Sequence, residues 1–436
     1  MRLLVYIEID GKEVLAGRIE EDGRDDFGFI YDSSYMNRGV LPISLSLPFS
    51  EERYSAVKTR NFFEGLLPEG FTRRAVANKL HVDEQDYIAL LKALGQECLG
   101  AIRVVDETDG PSVSGYERLS LNRVRALAAE GATSSADLVT QARLSLTGAS
   151  GKVGLYWDSA ENEWYLPRGT APSTHIVKQS HVRYSHIVAN EQFCMATARK
   201  LGIVTPDSFI VNVANGGDDE VLFATKRYDR LIDDSCPLMD GLPRPYRLHQ
   251  EDFASALGIP SAMKYENPKE HYLKDAFRLL ADNATDPIKE QLRLWDLIVF
   301  DYLIGNTDNH LKNISLIYNR DMKKIALAPA YDIVSTRIYE GTSKNMSMAI
   351  GGVTDINEIN EDCFRRCASE VGLGQKLAMR RYEDLRNRFE AAVKEAEYEM
   401  KEQGIVSVGY MGLGILRGCN LVGKSSRVCR NDCGRV

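Results

Sequence analysis

A polar loop at residues 305–313 carries the side chains with the clearest chemical use. It reads Gly-Asn-Thr-Asp-Asn-His-Leu-Lys-Asn and follows an apolar run at 294–300. Asp308 and Asn313 have the D-x4-N spacing of phosphoryl-transfer loops, in which the carboxylate orients a hydroxyl nucleophile and the amide oxygen binds Mg²⁺. His310 and Lys312 add donors for phosphate. Because Asp and Asn also cap helices and turns routinely, the spacing alone leaves both interpretations open.

A second candidate carboxylate lies downstream of this loop. Asp332 comes nineteen residues after Asn313, behind two strand-like runs at 314–318 and 324–327. Phosphotransferases of the protein-kinase type place their second Mg²⁺ ligand at the end of such a hairpin, although the Phe and Gly that usually follow it are absent here. An Asp that caps a turn is the alternative, but the ordered pair of motifs favours phosphoryl transfer.

Upstream, Lys178 ends an apolar strand-like run at 173–178, and Glu191 lies in a helical pattern that begins near His186. A lysine in this position can bridge the α- and β-phosphates while it pairs with a glutamate of the next helix. Without the other motifs, a solvated lysine and an exposed glutamate would be the simpler interpretation.

The stretch 144–154, Leu-Ser-Leu-Thr-Gly-Ala-Ser-Gly-Lys-Val-Gly, is rich in glycine. Glycines let backbone N–H groups approach a phosphate, and Lys152 adds charge. The stretch is not a Walker A loop, because Leu146 stands where glycine is required and Val153 stands where the Mg²⁺-binding Ser or Thr should be. A phosphate-binding loop and a plain hairpin with a glycine turn both remain open.

The elements that must position these residues change in type along the chain. Residues 1–110 are typical of a small α+β unit, with period-two alternation and an Asp10-Gly11 hairpin signal. A polar linker precedes a strand-rich region at 111–235, and a largely helical region follows at 236–404. This order predicts an α+β protein with a two-lobed body and a cleft between the lobes. The tail at 405–436 shows little periodicity and is unassigned.

The composition of the chain argues against several classes of protein function. A net charge of −8 argues against a surface devoted to nucleic acid, and eight cysteines in 436 residues do not make a disulfide scaffold. The Cys363/Cys367 and Cys429/Cys433 pairs lack further ligands at zinc-finger spacing. No apolar run approaches the roughly 18 residues of a membrane span, so a cytoplasmic protein without a membrane partner is expected.

Taken in order, these motifs resemble the HipA family of bacterial serine/threonine kinase toxins. The resemblance covers roughly residues 1–400 and is carried by the stretches 62–73, 89–103, 144–155, 173–178, 190–201, 228–230, 247–260, 303–316 and 330–335. It implies a protein-kinase-like fold with a β-rich N-lobe and a helical C-lobe, preceded by a small α+β N-terminal domain. It also implies ATP and Mg²⁺ as cofactors.

The resemblance implies a role for each motif. Asp308 would be the catalytic base, Asn313 and Asp332 the Mg²⁺ ligands, and Lys178, supported by Glu191, a phosphate contact. Ser145 matches a serine that family members autophosphorylate to switch themselves off. The implied ATP contacts are Thr147, Gly148, Ala149, Ser150, Gly151, Lys152, Lys178, Lys226, Arg227, Tyr228, His310, Leu311, Lys312, Asn313, Tyr331, Asp332, Ile333 and Val334.

Two positions depart from the family pattern. Lys226 stands where the family often has glutamate, and Gly151 replaces a position that is commonly acidic. Both changes would alter nucleotide contacts without removing the chemistry.

The family's known members phosphorylate a serine of an aminoacyl-tRNA synthetase, often the glutamyl enzyme, and so halt translation. A small HipB-like helix-turn-helix antitoxin neutralises them, and the complex represses its own operon on DNA. The resemblance implies the same for this chain. A kinase for a lipid or small molecule and a non-catalytic, kinase-like repressor subunit are the alternatives, and a metal hydrolase is a remote third.

Overall fold

The computed structural model describes residues 2–23, 26–110, 113–130, 132–142, 151–180, 184–405 and 409–418. The strands of the described residues are β1 Arg2–Ile9, β2 Lys12–Glu21, β3 Phe27–Tyr31, β4 Ile102–Asp106, β5 Gly115–Arg118, β6 Lys152–Asp158, β7 Glu163–Arg168, β8 His175–Gln179, β9 Ser208–Asn212, β10 Val221–Lys226, β11 Arg230–Leu231, β12 Leu238–Met239, β13 Leu242–Pro243, β14 Tyr246–Arg247, β15 Gln250–Asp252, β16 Ser315–Tyr318, β17 Ile325–Leu327, β18 Asn345–Ile350 and β19 Val353–Asp355.

The helices of the same residues are α1 Ser33–Met36, α2 Ala56–Gly65, α3 Gly70–Leu80, α4 Tyr87–Leu94, α5 Leu121–Glu130, α6 Ala132–Ala142, α7 Ile187–Lys200, α8 Phe253–Leu257, α9 Tyr272–Asn283, α10 Pro287–Ile304, α11 Glu361–Glu370, α12 Gln375–Glu402 and α13 Gly409–Gly418. Short 3-10 turns lie at Ser261–Met263, Leu311–Asn313 and Thr336–Ile338.

The N-terminal region folds around an antiparallel sheet of order β3-β2-β1-β4. The predicted hairpin between β1 and β2 is present: Asp10 and Gly11 both adopt positive φ, at 50° and 73°, which a two-residue hairpin turn requires. Alternation along β1 places Leu3, Val5 and Ile7 in the core. Helices α2 and α4 pack on this sheet.

A buried carboxylate docks this region onto the rest of the chain. Glu251 in β15 accepts hydrogen bonds from the Ser44 hydroxyl at 2.6 Å, from the Leu45 amide at 3.1 Å and from the Tyr318 hydroxyl. Burial raises the pKa of Glu251 to about 7, although these three donors oppose the shift. The N-terminal region is therefore held against the C-terminal half through a polar contact that excludes water.

A second antiparallel sheet follows, with the order β5-β7-β6-β8-β10-β9. Helix α7 packs against β9 and β10, and its residues 188–198 are all buried. Its other neighbour is the long helix α12, which also packs on α10. The strand-like run at 173–178 and the helical pattern that begins near His186 correspond to β8 and α7.

The C-terminal half is largely helical, as its sequence indicates. Helix α10 begins with Pro287 behind the Asp286 cap and buries Leu294, Trp295, Val299 and Phe300. Helix α12 spans 28 residues and connects α7 to α10 by packing on both. No helix of the described residues is long and apolar enough to cross a bilayer.

Several helices were not predicted, and α5, α6 and α13 are among them. Helices α5 and α6 precede the glycine-rich stretch, and α6 packs on α3 of the N-terminal region and on β6 and β7. Residues 409–418, taken from sequence as part of an unpatterned tail, form α13, whose Met411 and Ile415 are buried. The glycines between these apolar positions obscure the helical period.

Candidate active site

A cleft of about 1210 Å³ lies where the second sheet, the helical half and the N-terminal region meet. Most of the residues predicted to do chemistry line it. Its polar walls are formed by Glu69, Lys152, Lys264, Tyr265, Asp308, His310, Lys312, Asn313, Tyr331 and Asp332, and it extends along residues 267–274 and 341–354.

The loop that carries Asp308 is fixed by the end of α10. Gly305 adopts φ 76° and ends the helix, and a Cβ at this position would approach Arg337 Cγ to 2.9 Å. Asp301, in the last turn, accepts hydrogen bonds from the side-chain amides of Asn306, at 2.9 Å, and Asn309. Burial raises the pKa of Asp301 to about 7. One buried carboxylate thus holds both ends of the turn that presents Asp308.

The Asp308 carboxyl is exposed to the cleft. Tyr265 donates its hydroxyl to Asp308 Oδ1 at 2.7 Å, and the Asn313 amide nitrogen donates to the Asp308 carbonyl at 3.0 Å. The surrounding protein atoms desolvate the carboxyl and raise its pKa, while the Tyr265 hydrogen bond opposes that shift. A carboxyl held in this way can accept a proton from a hydroxyl that enters the cleft.

Lys178 lies between two carboxylates. Its ammonium donates to Glu191 Oε1 at 2.7 Å and to Asp332 Oδ1 at 2.6 Å. Burial alone would lower the pKa of Lys178, but the two carboxylates raise it above its ordinary value, so the lysine stays charged. The same contacts hold the pKa of Asp332 well below its usual range, although burial opposes this. The predicted lysine, glutamate and second aspartate are therefore in direct contact.

A second lysine stands beside this group. Lys152 is the cross-strand partner of Lys178 in the β6–β8 pairing and lines the cleft. Burial and then the neighbouring Lys178 charge lower the pKa of Lys152 to about 8, against the opposing effect of Asp332. Two lysines next to a single cleft would stabilise the negative charge of phosphate groups.

The backbone at Asp332 is strained, with φ 56° in a non-glycine residue. Such a conformation costs of order 1 kcal/mol and persists where the surroundings impose it. Here the Lys178 contact holds the side chain, and Asn190 in α7 holds the following segment: its amide nitrogen donates to the Ser335 carbonyl at 3.0 Å and its amide oxygen accepts from the Ser335 N–H at 3.2 Å.

The donor set suits Mg²⁺. Asp332 Oδ1 accepts a hydrogen bond from the Lys178 ammonium, and no donor of the described residues contacts Asp332 Oδ2. The Asn313 amide uses its nitrogen as a donor, which leaves its oxygen as a ligand. Mg²⁺ prefers oxygen ligands and is commonly held by one or two side chains together with substrate phosphates. Among the described residues no group of three or more His, Cys, Asp or Glu could hold a metal on its own.

The remaining residues of the loop differ in what they offer. His310 is buried, its Nδ1 has no hydrogen-bond partner among the described residues, and burial lowers its pKa to about 3, so it is neutral. Leu311 is a core residue. Lys312 is also buried, and its ammonium contacts Glu69, Gly65 and Ser261 instead of facing open solvent. Its predicted phosphate contact stays a prediction.

The segment predicted to receive adenine, Lys226 to Tyr228, joins β10 to β11. Lys226 is exposed, and the Tyr228 ring lies 5.7 Å from that of Tyr331, which lines the cleft. The Tyr331 hydroxyl contacts Ser315 Oγ at 2.6 Å. Ile333 is buried, and Val334 lines the cleft.

Arg227 does not face the cleft through its side chain. Its guanidinium is fully buried and forms two hydrogen bonds with Asp229, at 2.9 and 2.8 Å. Glu97 of the N-terminal region accepts from Arg227 at 3.3 Å, from Arg230 at 2.9 Å and from Arg247 at 2.6 Å. The Arg227 side chain is therefore not available to a nucleotide, and its contact with Glu97 ties this segment to the N-terminal region.

Ser145 and the predicted contacts Thr147, Gly148, Ala149 and Ser150 lie outside the described residues. Gly151 precedes β6, next to Lys152.

Several residues of the site were not predicted from the sequence. Asp301 carried a usable signal, because it is a carboxylate inside an apolar helical run. Tyr265, Lys264 and Glu69 carried none, since each lies far along the chain from the motifs that it contacts.

Comparison with known proteins identifies related sequences over most of the chain. The family model of the HipA-like C-terminal domain matches residues 144–393, and that of the HipA N-terminal domain matches residues 7–105. The Sinorhizobium fredii protein Y4mE, which carries the name of a kinase, is 34% identical over 388 residues, covering 86% of this chain and 87% of that protein. The serine/threonine-protein kinase toxin HipA of Shewanella oneidensis is 25% identical over 409 residues, covering 89% and 88%.

The fold has a solved counterpart. The structure of the Shewanella oneidensis toxin–antitoxin system, HipA with HipB and its operator DNA, superposes with a TM-score of 0.78 at 22% identity and covers 96% of each chain. This likeness confirms the predicted fold, a kinase-like body preceded by a small α+β domain. The chain belongs to the HipA family of kinases.

Proposed function

We propose that this protein is a cytoplasmic serine/threonine kinase toxin that transfers the γ-phosphate of ATP to a serine of a protein substrate. One observation carries the proposal: Asp308 opens on the same cleft as Asn313, Asp332 and Lys152, and Lys178 and Glu191 complete the charge network behind Asp332. A base for a hydroxyl, oxygen ligands for a metal and cations for phosphate are the parts that phosphoryl transfer needs.

Each of these residues would have a separate role in the reaction. Lys178 and Lys152 would hold the phosphates, and the backbone at 226–228 would receive the adenine. Mg²⁺, held by Asn313 and Asp332, would supply neutralising charge at the β- and γ-phosphates. Asp308 orients the serine hydroxyl and takes its proton as the oxygen–phosphorus bond forms; the bond between the γ-phosphorus and its bridging oxygen breaks, and ADP leaves.

The target and the regulation rest on the family. We propose an aminoacyl-tRNA synthetase such as the glutamyl enzyme as the substrate, and Ser145 as a self-inactivating site, because a phosphate there would add nearly two negative charges beside a loop that must receive ATP. A HipB-like helix-turn-helix antitoxin would bind the chain and bring it to operator DNA. The relative of known structure is bound to HipB and operator DNA, and a net charge of −8 fits DNA contact made chiefly by a partner.

Expression in a bacterial host tests this function. The wild-type chain, Asp308→Asn and the control Asp282→Asn are induced, and growth, incorporation of labelled methionine and phosphoserine on aminoacyl-tRNA synthetases are followed. Asp282 is an exposed aspartate of α9 that does not line the cleft. We expect arrest and a modified synthetase with the wild type and the control, and neither with Asp308→Asn. Arrest that persists in Asp308→Asn would instead favour a non-catalytic binding module.

A further inference from the structure

Glu69 brings a carboxylate of the N-terminal region into the active-site cleft. It lies immediately before α3, and its side chain is 17% exposed. One carboxylate oxygen, Oε1, lies 2.6 Å from the Lys312 ammonium, and the other, Oε2, lies 2.8 Å from the Lys264 ammonium. Glu69 therefore contacts two separate segments of the helical half at once.

The first segment is the catalytic loop. Lys312 directly precedes Asn313, and its side chain is only 3% exposed. Its ammonium contacts three acceptors: Glu69, the Gly65 carbonyl at 3.2 Å and Ser261 Oγ at 3.0 Å. The contacts with Gly65 and Ser261 are hydrogen bonds, and the contact with Glu69 is an ion pair. Because Glu69 and Gly65 belong to the N-terminal region, the loop is anchored on that region.

The second segment carries Tyr265. Lys264 is its neighbour in the chain, and the Tyr265 hydroxyl donates to Asp308 Oδ1 at 2.7 Å. Burial would raise the pKa of Glu69, but Lys312 and Lys264 lower it to about 2, so the Glu69 carboxylate is ionised. Glu69 thus holds, on one side, the loop that carries Asp308 and, on the other, the residue that orients its carboxyl.

We propose that Glu69 is a positioning residue for phosphoryl transfer, which makes the N-terminal domain a working part of the active site. The proposal rests on the function proposed above, with Asp308 as the base. Glu69 acts through geometry. When its charge is lost, Lys312 and Lys264 no longer share an ion-pair partner. Asp308 and Asn313 then lose their fixed separation from the cations on the opposite wall of the cleft.

The chain offers a matched control. Glu64 belongs to the same region, its side chain is 22% exposed, and it also contacts two cations, Arg60 at 2.8 Å and Arg73 at 2.8 Å. Both partners lie within the N-terminal region, and none of the three residues lines the cleft. A purely structural ion pair would respond to substitution in the same way at Glu64 and Glu69.

The test compares wild type, Glu69→Gln and Glu64→Gln as full chains. The first measurement is the rate of self-phosphorylation by Mg-ATP over a range of ATP concentrations. The second is hydrogen–deuterium exchange of the peptide that covers residues 305–314, without nucleotide. We expect Glu69→Gln to lower the maximal rate roughly 10- to 100-fold, the penalty of a misplaced catalytic group, with half-saturation by ATP changed less than threefold. Exchange of the peptide should rise in Glu69→Gln alone.

Three results would overturn the proposal. The first is that Glu69→Gln has the same rate and the same exchange as Glu64→Gln. The second is that Glu69→Gln has a lower rate without faster exchange at 305–314, and the third is that its exchange is faster over the whole chain. Glu69→Gln should slow Lys312→Met less than it slows the wild type, because the Lys312 contact is already lost there and only the Lys264 contact remains to be broken. The exchange measurement needs no turnover. A wild-type chain without kinase activity would therefore count against the proposed function, and the exchange result would still decide whether Glu69 fixes the loop.

Discussion

Glu97→Gln should destabilise the protein by about 3–5 kcal/mol, the usual cost of breaking a buried charge pair by removing one partner. The Glu97 side chain is 1% exposed and contacts Arg227, Arg230 and Arg247, whose side chains are no more than 1% exposed. The glutamine keeps the volume and one acceptor oxygen but removes the charge. Among the described residues, only Asp229 and Glu8 would then remain as ion-pair partners of the three buried guanidinium groups.

The assay is urea unfolding followed by the fluorescence of the three tryptophans. The control is Glu107→Gln, which breaks a pair with Arg2 in which each side chain is 47% exposed, and which should cost about 0–1 kcal/mol. The pKa of Glu97 is held well below its ordinary value, despite burial, by Arg230, Arg247 and Arg227. Its contribution is therefore present above the unfolded pKa and is lost as the pH falls towards the folded one. If Glu97→Gln cost no more than Glu107→Gln, the network would not hold the segment as argued.

Further predictions concern the cleft and the docking contact. Lys178→Met should lower phosphate transfer roughly 100-fold or more by removing a cation that contacts the phosphates of ATP, and full activity in that variant would contradict its role. Tyr265→Phe should lower the rate of phosphate transfer roughly 5- to 10-fold, because it loses about 1–1.5 kcal/mol of hydrogen bonding to Asp308. The control is Tyr272→Phe, which should keep the wild-type rate because the Tyr272 hydroxyl donates to the Met263 carbonyl and not to Asp308. Because the folded pKa of Glu251 is about 7, its contribution to stability falls as the pH rises from about 4.5 to 7. The stability of Glu251→Gln relative to wild type should thus rise by roughly 3 kcal/mol between pH 4 and pH 8 in urea unfolding, and a difference that stays constant with pH would contradict this assignment.

The sequence predicted features whose causes are local. The hairpin at Asp10 and Gly11 follows from their tolerance of positive φ, and the apolar run at 294–300 lies within α10. The spacing of Asp308 and Asn313 was visible because both residues lie on one loop.

Contacts between distant segments could not be predicted in the same way. Glu69 and Lys312 are 243 positions apart, and nothing local to either residue indicates the other. The burial of Arg227 was missed for the same reason, since its partner Glu97 belongs to another region. Helix α13 was missed because glycines dilute the period formed by Met411 and Ile415.

Intact-mass analysis of the purified chain after incubation with Mg-ATP, with Asp308→Asn in parallel and the modified peptide sequenced, shows whether Asp308 is the base of a self-phosphorylating kinase. We expect one added phosphate on Ser145 in the wild type and none in Asp308→Asn. An unmodified wild type, or equal phosphate on both proteins, would contradict the assignment of Asp308 as the base of a self-phosphorylating kinase.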